Sequence, residues 1–205
     1  MKKNYEAELP QGYKEIFHLD AREKKTGLIM NLAAFVPFVV MIVILLLTAD
    51  WKVLRSVWSG KNEDMLWGVL FLFTFALSLV AYMVLHELMH GVAYKALTKQ
   101  KLTFGLSWSC AFCGVPNVYV YRRTALISLL APFVVFGVVF LALTVTFAFL
   151  NTALYVLFGL LLGLHIGGCA GDLYLSAVLL FKYKNKALLM RDTGPEQWLY
   201  QPTEA

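Results

Sequence analysis

Residues 86–90 of this chain read HELMH, and their types and spacing suit them for metal chemistry. On a helix, positions i and i+4 share one face, so the imidazoles of His86 and His90 can bind one metal ion. Glu87 lies beside them, where its carboxylate can take a proton from a water molecule that the metal activates. The spacing therefore predicts a zinc site with Glu87 as the general base.

The HELMH segment lies inside one of four long apolar stretches in a chain that is 60% hydrophobic and 15% charged. The stretches cover residues 27–49, 66–97, 124–150 and 152–181. Each exceeds the roughly 20 residues that a helix needs to cross about 30 Å of hydrocarbon. The pattern predicts an all-α polytopic membrane protein with four transmembrane helices. Because ionisable side chains are costly inside a membrane, metal binding by HELMH is favoured over a metal-free patch of hydrogen bonds.

Lysine and arginine are distributed unevenly between the segments that flank these stretches. Residues 1–26, 95–123 and 182–205 hold six, five and four of them, whereas residues 50–65 hold three. With four crossings this asymmetry places both termini in the cytoplasm of a multi-pass cell-membrane protein. The predicted organisation is a cytoplasmic tail over residues 1–26, a membrane core over 27–181 and a second cytoplasmic tail over 182–205. The net charge of +5 follows from this arrangement and requires no nucleic-acid partner.

Asp172 is the predicted third ligand of the zinc ion. The second and fourth helices run in the same direction, and His86 and Asp172 each lie 20 residues after Leu66 and Thr152, where their stretches begin. With a rise of about 1.5 Å per residue, the two side chains reach the same depth. A catalytic zinc site has three protein ligands and one open position, so His86, His90 and Asp172 are expected to hold one zinc ion per chain.

The motifs HELMH at residues 86–90 and GGCAGD at residues 167–172 together resemble those of intramembrane metalloproteases of the site-2 protease type. In that group a HExxH motif and a downstream aspartate bind zinc. The chain is also similar to a bacterial family of membrane proteins described as putative zincin peptidases, through LPQGY at 9–13, AP at 131–132 and GDL at 171–173. The resemblance implies a zinc-dependent endopeptidase that hydrolyses peptide bonds of membrane or juxtamembrane substrates. Its partners would then be a membrane protein or peptide and the lipid bilayer.

Residues 102–121 predict a small β-hairpin between the second and third helices. Phe104, Leu106 and Trp108 alternate with small residues, and a second alternating run follows a turn that contains Asn117. Such a hairpin resembles the re-entrant β element of site-2 proteases and can present an edge strand to an extended substrate peptide. The alternative is a cytoplasmic hairpin that only covers the ends of the helices.

Three further residues have weaker predicted roles. His165 lies seven residues before Asp172, two turns away on nearly the same helix face, where it can orient a ligand or stabilise an oxyanion. The alternative is a buried histidine that is bonded to a neighbouring backbone group. Cys110 and Cys113 form a single CxxC pair with no second pair, so reduced cytoplasmic thiols are favoured over another zinc site.

Two other classes of function stay open from the sequence. A membrane metal-binding or transport protein could use the same three ligands, but transporters more often show an internal repeat and polar residues along a path. An inactive relative could act as a scaffold for partner proteins, although the intact Glu87 argues against it. Oligomeric state and substrate identity do not follow from the sequence.

Overall fold

The structure is a computed structural model that describes residues 3–52, 62–107 and 111–203. Within these residues the chain is mostly helical. The helices are α1 (Lys24–Thr48), α2 (Asn62–Thr98), α3 (Arg122–Leu150), α4 (Thr152–Gly168) and α5 (Ala170–Ala177), which a π-helix (Val178–Lys182) continues. The strands are β1 (Tyr5–Glu6), β2 (Tyr13–Asp20), β3 (Thr103–Leu106), β4 (Ala111–Gly114), β5 (Tyr119–Tyr121), β6 (Leu189–Asp192) and β7 (Glu196–Pro202).

The apolar stretches of the sequence coincide with these helices. By length and composition, α1, α2 from Met65 onward and α3 can each cross a membrane. The fourth stretch forms α4, α5 and the π-helix, a bent pair of helices that adds a fourth candidate span if the pair is counted as one. Large apolar side chains are exposed along the spans, including Leu47 at 80% and Phe73 at 65%. Exposed apolar surface of this extent fits helices that face lipid.

The chain divides into two compact units. The sheet unit comprises Met1–Asn31, Val84–Phe133 and Ala170–Ala205. The helical unit comprises Leu32–Met83 and Val134–Cys169. The seven strands found among the described residues all belong to the sheet unit, and so do the HELMH segment and Asp172.

In the helical unit, α4 packs against α1 through glycines. A β-carbon on Gly167 would collide with the main chain of Ala34, and one on Gly163 would lie 2.7 Å from Cβ of Met41. Glycine at these positions lets the two helices approach closely, as expected for small residues at a helix interface. The buried core of the unit consists of Tyr82, Phe140, Leu157, Leu161 and Leu162.

The sheet unit contains a five-stranded antiparallel sheet in the order β1-β5-β6-β7-β2. The N-terminal segment supplies β1 and β2, the connector between α2 and α3 supplies β5, and the C-terminal segment supplies β6 and β7. Val120 of β5 is fully buried and pairs with Tyr5 on one side and Met190 on the other. Because each segment is too short to bury a core alone, the three segments do so together. The core of the unit includes Tyr94, Val115, Val120, Leu175, Leu179, Met190 and Leu199.

The hairpin predicted for residues 102–121 is wrong in its size and its pairing. β3 pairs with β4, with Phe104 opposite Cys113, whereas Tyr119–Tyr121 joins the five-stranded sheet. The turn at Asn117 therefore does not connect two paired strands. Alternation specifies that a strand forms but not which strand it pairs with, and here the partners come from both ends of the chain. The fold is mostly helical with a substantial antiparallel sheet, and not the all-α fold with one hairpin that the sequence predicts.

Candidate metal centre

Helix α2 carries the two histidines of the HELMH segment on one buried face. His86 and His90 are 7% and 6% exposed, whereas Leu85, which precedes His86, and Leu88, which lies between the two histidines, are exposed. The two rings meet edge to face with centroids 4.9 Å apart, and their Nε2 atoms are 3.2 Å apart. Because α2 contains no proline, the helix stays regular here and side chains at i and i+4 remain aligned.

The ring of His90 is oriented by the main chain of α3. Its Nδ1 lies 2.8 Å from the carbonyl oxygen of Ser128. A carbonyl oxygen only accepts, so Nδ1 donates its hydrogen and, in the neutral ring, Nε2 carries the lone pair. A hydrogen bond at the far nitrogen is the usual way in which proteins fix the ring of a metal-binding histidine.

Asp172 of α5 completes a triangle with the two histidines. Its Oδ2 lies 3.3 Å from Nε2 of His86 and 3.4 Å from Nε2 of His90. Ligand atoms about 2.0–2.2 Å from a tetrahedral zinc ion are separated from one another by about 3.3–3.6 Å. The three separations in this site, 3.2 to 3.4 Å, match the edges of such a tetrahedron. Two imidazole nitrogens and a carboxylate oxygen also form a donor set that zinc accepts, so the residues fit the metal and leave a fourth position for water or substrate.

Asp172 is positioned by the start of α5 and by the packing of that helix. The helix is interrupted at Cys169, between α4 and α5, so Asp172 lies in the first turn of α5. The helix dipole favours a carboxylate at this position. Further along, Leu175 and Leu179 are buried in the core of the sheet unit. Arg122 donates from Nε to the carbonyl oxygen of Leu179 at 2.7 Å. These contacts hold the helix that presents the third ligand.

Glu87 follows His86 on α2 and is partly buried. Successive residues are about 100° apart around a helix, so the Glu87 carboxylate lies to one side of the stripe formed by His86 and His90. In a HExxH site this is the place of the general base, beside the ligands and free of the metal.

His165 lies in the helical unit and is fully buried. Its Nδ1 is 2.9 Å from the hydroxyl of Tyr82, and the Sγ of Cys169 is 3.7 Å from the same nitrogen. The rings of Phe136 and Phe140 meet it edge-on. The hydrogen-bonding partners of the ring named here are thus side chains, and not the backbone group that the alternative names.

Strand β3 lies against α2 immediately beyond His90. A β-carbon on Gly91 would be 2.8 Å from Cζ of Phe104, so the Phe104 ring packs on the helix at that residue. Phe104 still remains 49% exposed, and Leu106 is 76% exposed. Two of the predicted hairpin residues are thus on the strand that contacts this turn of α2, whereas Trp108 lies outside the described residues.

Asn117 and Cys113, two other residues with predicted roles, lie elsewhere. Asn117 is exposed and lines a surface cavity of about 300 Å³ together with Tyr119 and Arg191. Cys113 is buried in β4, and burial raises the pKa of its thiol to about 12, which keeps the sulfur protonated at neutral pH. Cys110 lies outside the described residues.

A tyrosine and an aspartate that the sequence does not single out extend this face of α2. Tyr94, one turn beyond His90, donates from its hydroxyl to Oδ2 of Asp192 at 2.6 Å. The two residues are 1% and 3% exposed. The spacing of Tyr94 from His90 is a signal for a shared face, but nothing in the charged C-terminal segment marks Asp192 as buried. The Ser128 carbonyl has no sequence signal at all, because every residue carries one.

Comparison with known proteins agrees with this chemistry. No curated protein and no solved structure matches the chain. A family described as putative zincin peptidase matches residues 79–188, which is more than half of the chain and includes the HELMH segment and Asp172. Zincins are zinc peptidases with a HExxH motif, the motif that this chain carries at residues 86–90. The chain therefore belongs to the putative zincin peptidase family.

Proposed function

We propose that this protein is a membrane-embedded zinc endopeptidase that hydrolyses peptide bonds of membrane or juxtamembrane substrates. The observation that carries the proposal is the triangle of His86, His90 and Asp172, whose ligand atoms have the spacing of a zinc tetrahedron. Glu87 beside the triangle supplies a general base, and membership of the zincin peptidase family supports the same reaction class. The length and apolar composition of α2, which carries three of these residues, support a reaction at the membrane.

The side chains divide the work between holding the metal and moving a proton. His86, His90 and Asp172 would hold zinc, and the Ser128 carbonyl keeps Nε2 of His90 available. When bound, zinc supplies Lewis acidity, which lowers the pKa of a water towards about 7 and polarises the scissile carbonyl. The Glu87 carboxylate accepts a proton from the attacking water and passes it to the leaving amine.

The five-stranded sheet supports a membrane orientation with both termini on one side. β5 pairs with β1 and with β6, so the N-terminal segment, the α2–α3 connector and the C-terminal segment lie together. In that orientation, α1 and α2 cross the membrane between the N-terminal segment and the connector. Helix α3 and the broken span α4–α5 cross it between the connector and the C-terminal segment. Residues 1–26, 95–123 and 182–205, which contain these segments and the adjoining helix ends, hold all but three of the 18 lysines and arginines, which favours the cytoplasmic side.

Strand β3 is the proposed contact for an extended substrate. It is an outer strand of the two-stranded sheet β3–β4, packs on α2 at Gly91 and exposes Phe104 and Leu106. An extended peptide can add to such an edge through main-chain hydrogen bonds, while its apolar side chains contact the exposed ones of β3. A helical substrate has its main chain shielded, so an edge next to the metal ligands favours the extended form that cleavage requires.

Elemental analysis of the detergent-purified protein tests the metal site. We expect one zinc per chain in the wild type and loss of zinc in His86→Ala and in Asp172→Ala, because each variant lacks one of three ligands. His18→Ala, which removes an exposed histidine on β2, is the matched control and keeps its zinc. Unchanged zinc in Asp172→Ala removes this carboxylate from the ligand set. A folded wild type that takes up no supplied zinc refutes the proposal.

Cleavage of membrane-anchored reporter peptides in lipid vesicles tests the reaction. Glu87→Gln is expected to retain zinc and lose about 10²–10⁴-fold in hydrolysis rate, because it keeps the shape of the base but not its proton affinity. Zinc bound equally by both proteins, with no cleavage by the wild type over a range of reporters, would instead favour a metal-binding or scaffold function.

A further inference from the structure

Asp192 is a buried carboxylate surrounded by hydrogen-bond donors. Its Oδ2 accepts from the Tyr94 hydroxyl at 2.6 Å, and its Oδ1 accepts from the main-chain nitrogen of Gly194 at 2.9 Å and from Nε2 of Gln197 at 3.4 Å. All three groups donate in these contacts, so they select the ionised carboxylate. A buried charge persists only where its hydrogen bonds are made, which ties the position of Asp192 to these partners.

The main chain around Asp192 is fixed by strand β4. The nitrogen of Val115 donates to the carbonyl oxygen of Asp192 at 2.9 Å. A β-carbon on Gly114 would collide with the main chain of Thr193 and Gly194, so the end of β4 and the turn after β6 are in direct contact. The carboxylate is therefore presented from a close-packed frame.

Tyr94 connects this frame to the metal-binding face of α2. His86, His90 and Tyr94 follow one another at intervals of four residues, so their side chains form one stripe along the helix. Tyr94 is 1% exposed and packs in the same core as Val115 and Val120. A hydrogen bond at the far end of this ring acts on the rotation of α2 about its axis.

We propose that Asp192 is a positioning residue for the metal centre, a role that rests on the zinc function proposed above. By holding the Tyr94 hydroxyl, it sets the rotation of α2 at which His86 and His90 face Asp172. Histidine ligand atoms lie about 5–6 Å from a helix axis, so a rotation of about 10° moves them by about 1 Å. Zinc–ligand distances vary by only about 0.2 Å, so such a rotation weakens metal binding without removing a ligand.

This role lies beyond the family resemblance. The family match ends at residue 188, and Asp192 lies on β6 in the part of the chain that follows. Asp192 is also not one of the residues that could hold the metal with His86 and His90. The contact thus assigns the C-terminal segment a function in the site that the HExxH motif alone does not describe.

Zinc affinity of the full-length protein in detergent, measured by competition with a chromophoric chelator, tests the role. Tyr94→Phe removes only the hydroxyl and is expected to raise the zinc dissociation constant about tenfold, the lower end of the range for residues that orient metal ligands. Asp192→Asn places an amide donor against Tyr94 or Gly194 and is expected to act in the same direction. The double variant should bind no more weakly than Tyr94→Phe, because both changes break one contact.

Tyr13→Phe is the matched control for a purely structural effect. It removes another tyrosine hydroxyl bond in the same unit, donated to the carbonyl oxygen of Ala187 at 2.9 Å, and should leave zinc affinity within about twofold. The visible spectrum of the cobalt-substituted protein reports ligand geometry separately from stability. We expect this spectrum to change in Tyr94→Phe and to stay as in the wild type in Tyr13→Phe.

The outcomes separate this role from the zinc function itself. If the wild type binds zinc, and Tyr94→Phe and Asp192→Asn match it in affinity and cobalt spectrum, the positioning role is wrong and the zinc site stands. An equal loss of affinity in Tyr13→Phe also overturns it, since the effect is then one of general stability. If Tyr94→Phe does not fold, Asp192→Asn decides alone. A wild type that binds no zinc overturns both proposals.

Discussion

The burial of Asp192 predicts an unusual dependence of stability on pH. Burial raises the pKa of this carboxyl from 3.8 to about 6, although the bonds from Tyr94, Gly194 and Gln197 act in the opposite direction. Because the pKa is higher in the folded protein, the contribution of this group to stability is fully present below pH 3.8 and is lost as the pH rises through about 6. The difference of roughly two pKa units corresponds to about 3 kcal/mol lost at neutral pH.

Asp192→Asn removes this titration, so the difference between the two proteins measures how much the ionisation of Asp192 contributes to stability. Relative to the wild type, the melting temperature of the variant should rise between about pH 4 and about pH 7.5, by roughly 6 °C at about 2 °C per kcal/mol. A hydrogen bond that the asparagine fails to make shifts the whole difference curve but not its slope. Thermal melts of both proteins in one detergent, with a chelator present so that zinc adds no pH dependence, measure this slope.

Glu8→Gln is the control for the slope, because it removes one negative charge at an exposed position. It shows how much pH dependence follows from the change in net charge alone. A difference curve for Asp192→Asn that is flat, or that falls as the pH rises, would refute the reasoning. In that case the Asp192 carboxylate would be ionised in the folded protein at no cost, which is incompatible with its 3% exposure.

Three further predictions concern the contacts around the site. Gly91→Ala places a β-carbon 2.8 Å from the Phe104 ring and so displaces the ring from the helix, and cleavage of reporter peptides should fall while zinc content holds. Gly167→Ala forces a β-carbon into the main chain of Ala34 and should destabilise the protein by about 1–3 kcal/mol, whereas Gly171→Ala, with open space around it, should not change the melting temperature. Removal of metal by a chelator should abolish cleavage, and added zinc should restore it, if the proposed chemistry holds.

The triangle of His86, His90 and Asp172 can be anticipated from the sequence because helix geometry sets the positions of its members. The pairing of His86 with His90 depends only on helix periodicity. The depth of Asp172 can be counted along an apolar stretch whose length requires a helix. The residue count along the stretch does not predict the helix interruption at Cys169. It also does not predict that the Ser128 carbonyl orients His90, since every residue has a main-chain carbonyl.

The five-stranded sheet cannot be anticipated in the same way. β1 has two residues and β5 has three, so neither shows enough alternation to set a register. The residues that meet across them, Tyr5, Val120 and Met190, come from three distant segments. Residues 1–26 and 182–205, which composition alone describes as tails, supply four of the five strands.

The sheet is built from three distant segments, which explains why the site depends on more of the chain than the HELMH motif. The histidines are on α2 and Asp172 is on α5, and both helices are anchored in the core of the sheet unit, α2 through Tyr94 and α5 through Leu175. That core also contains Leu199 of β7, beyond the residues that the zincin peptidase family matches. Deleting the C-terminal strands would therefore remove no ligand and still separate the ligands, because the two helices would lose the core that sets their positions. The candidate metal centre thus depends on the whole sheet unit, and the HELMH segment supplies only the part of it that the sequence motif identifies.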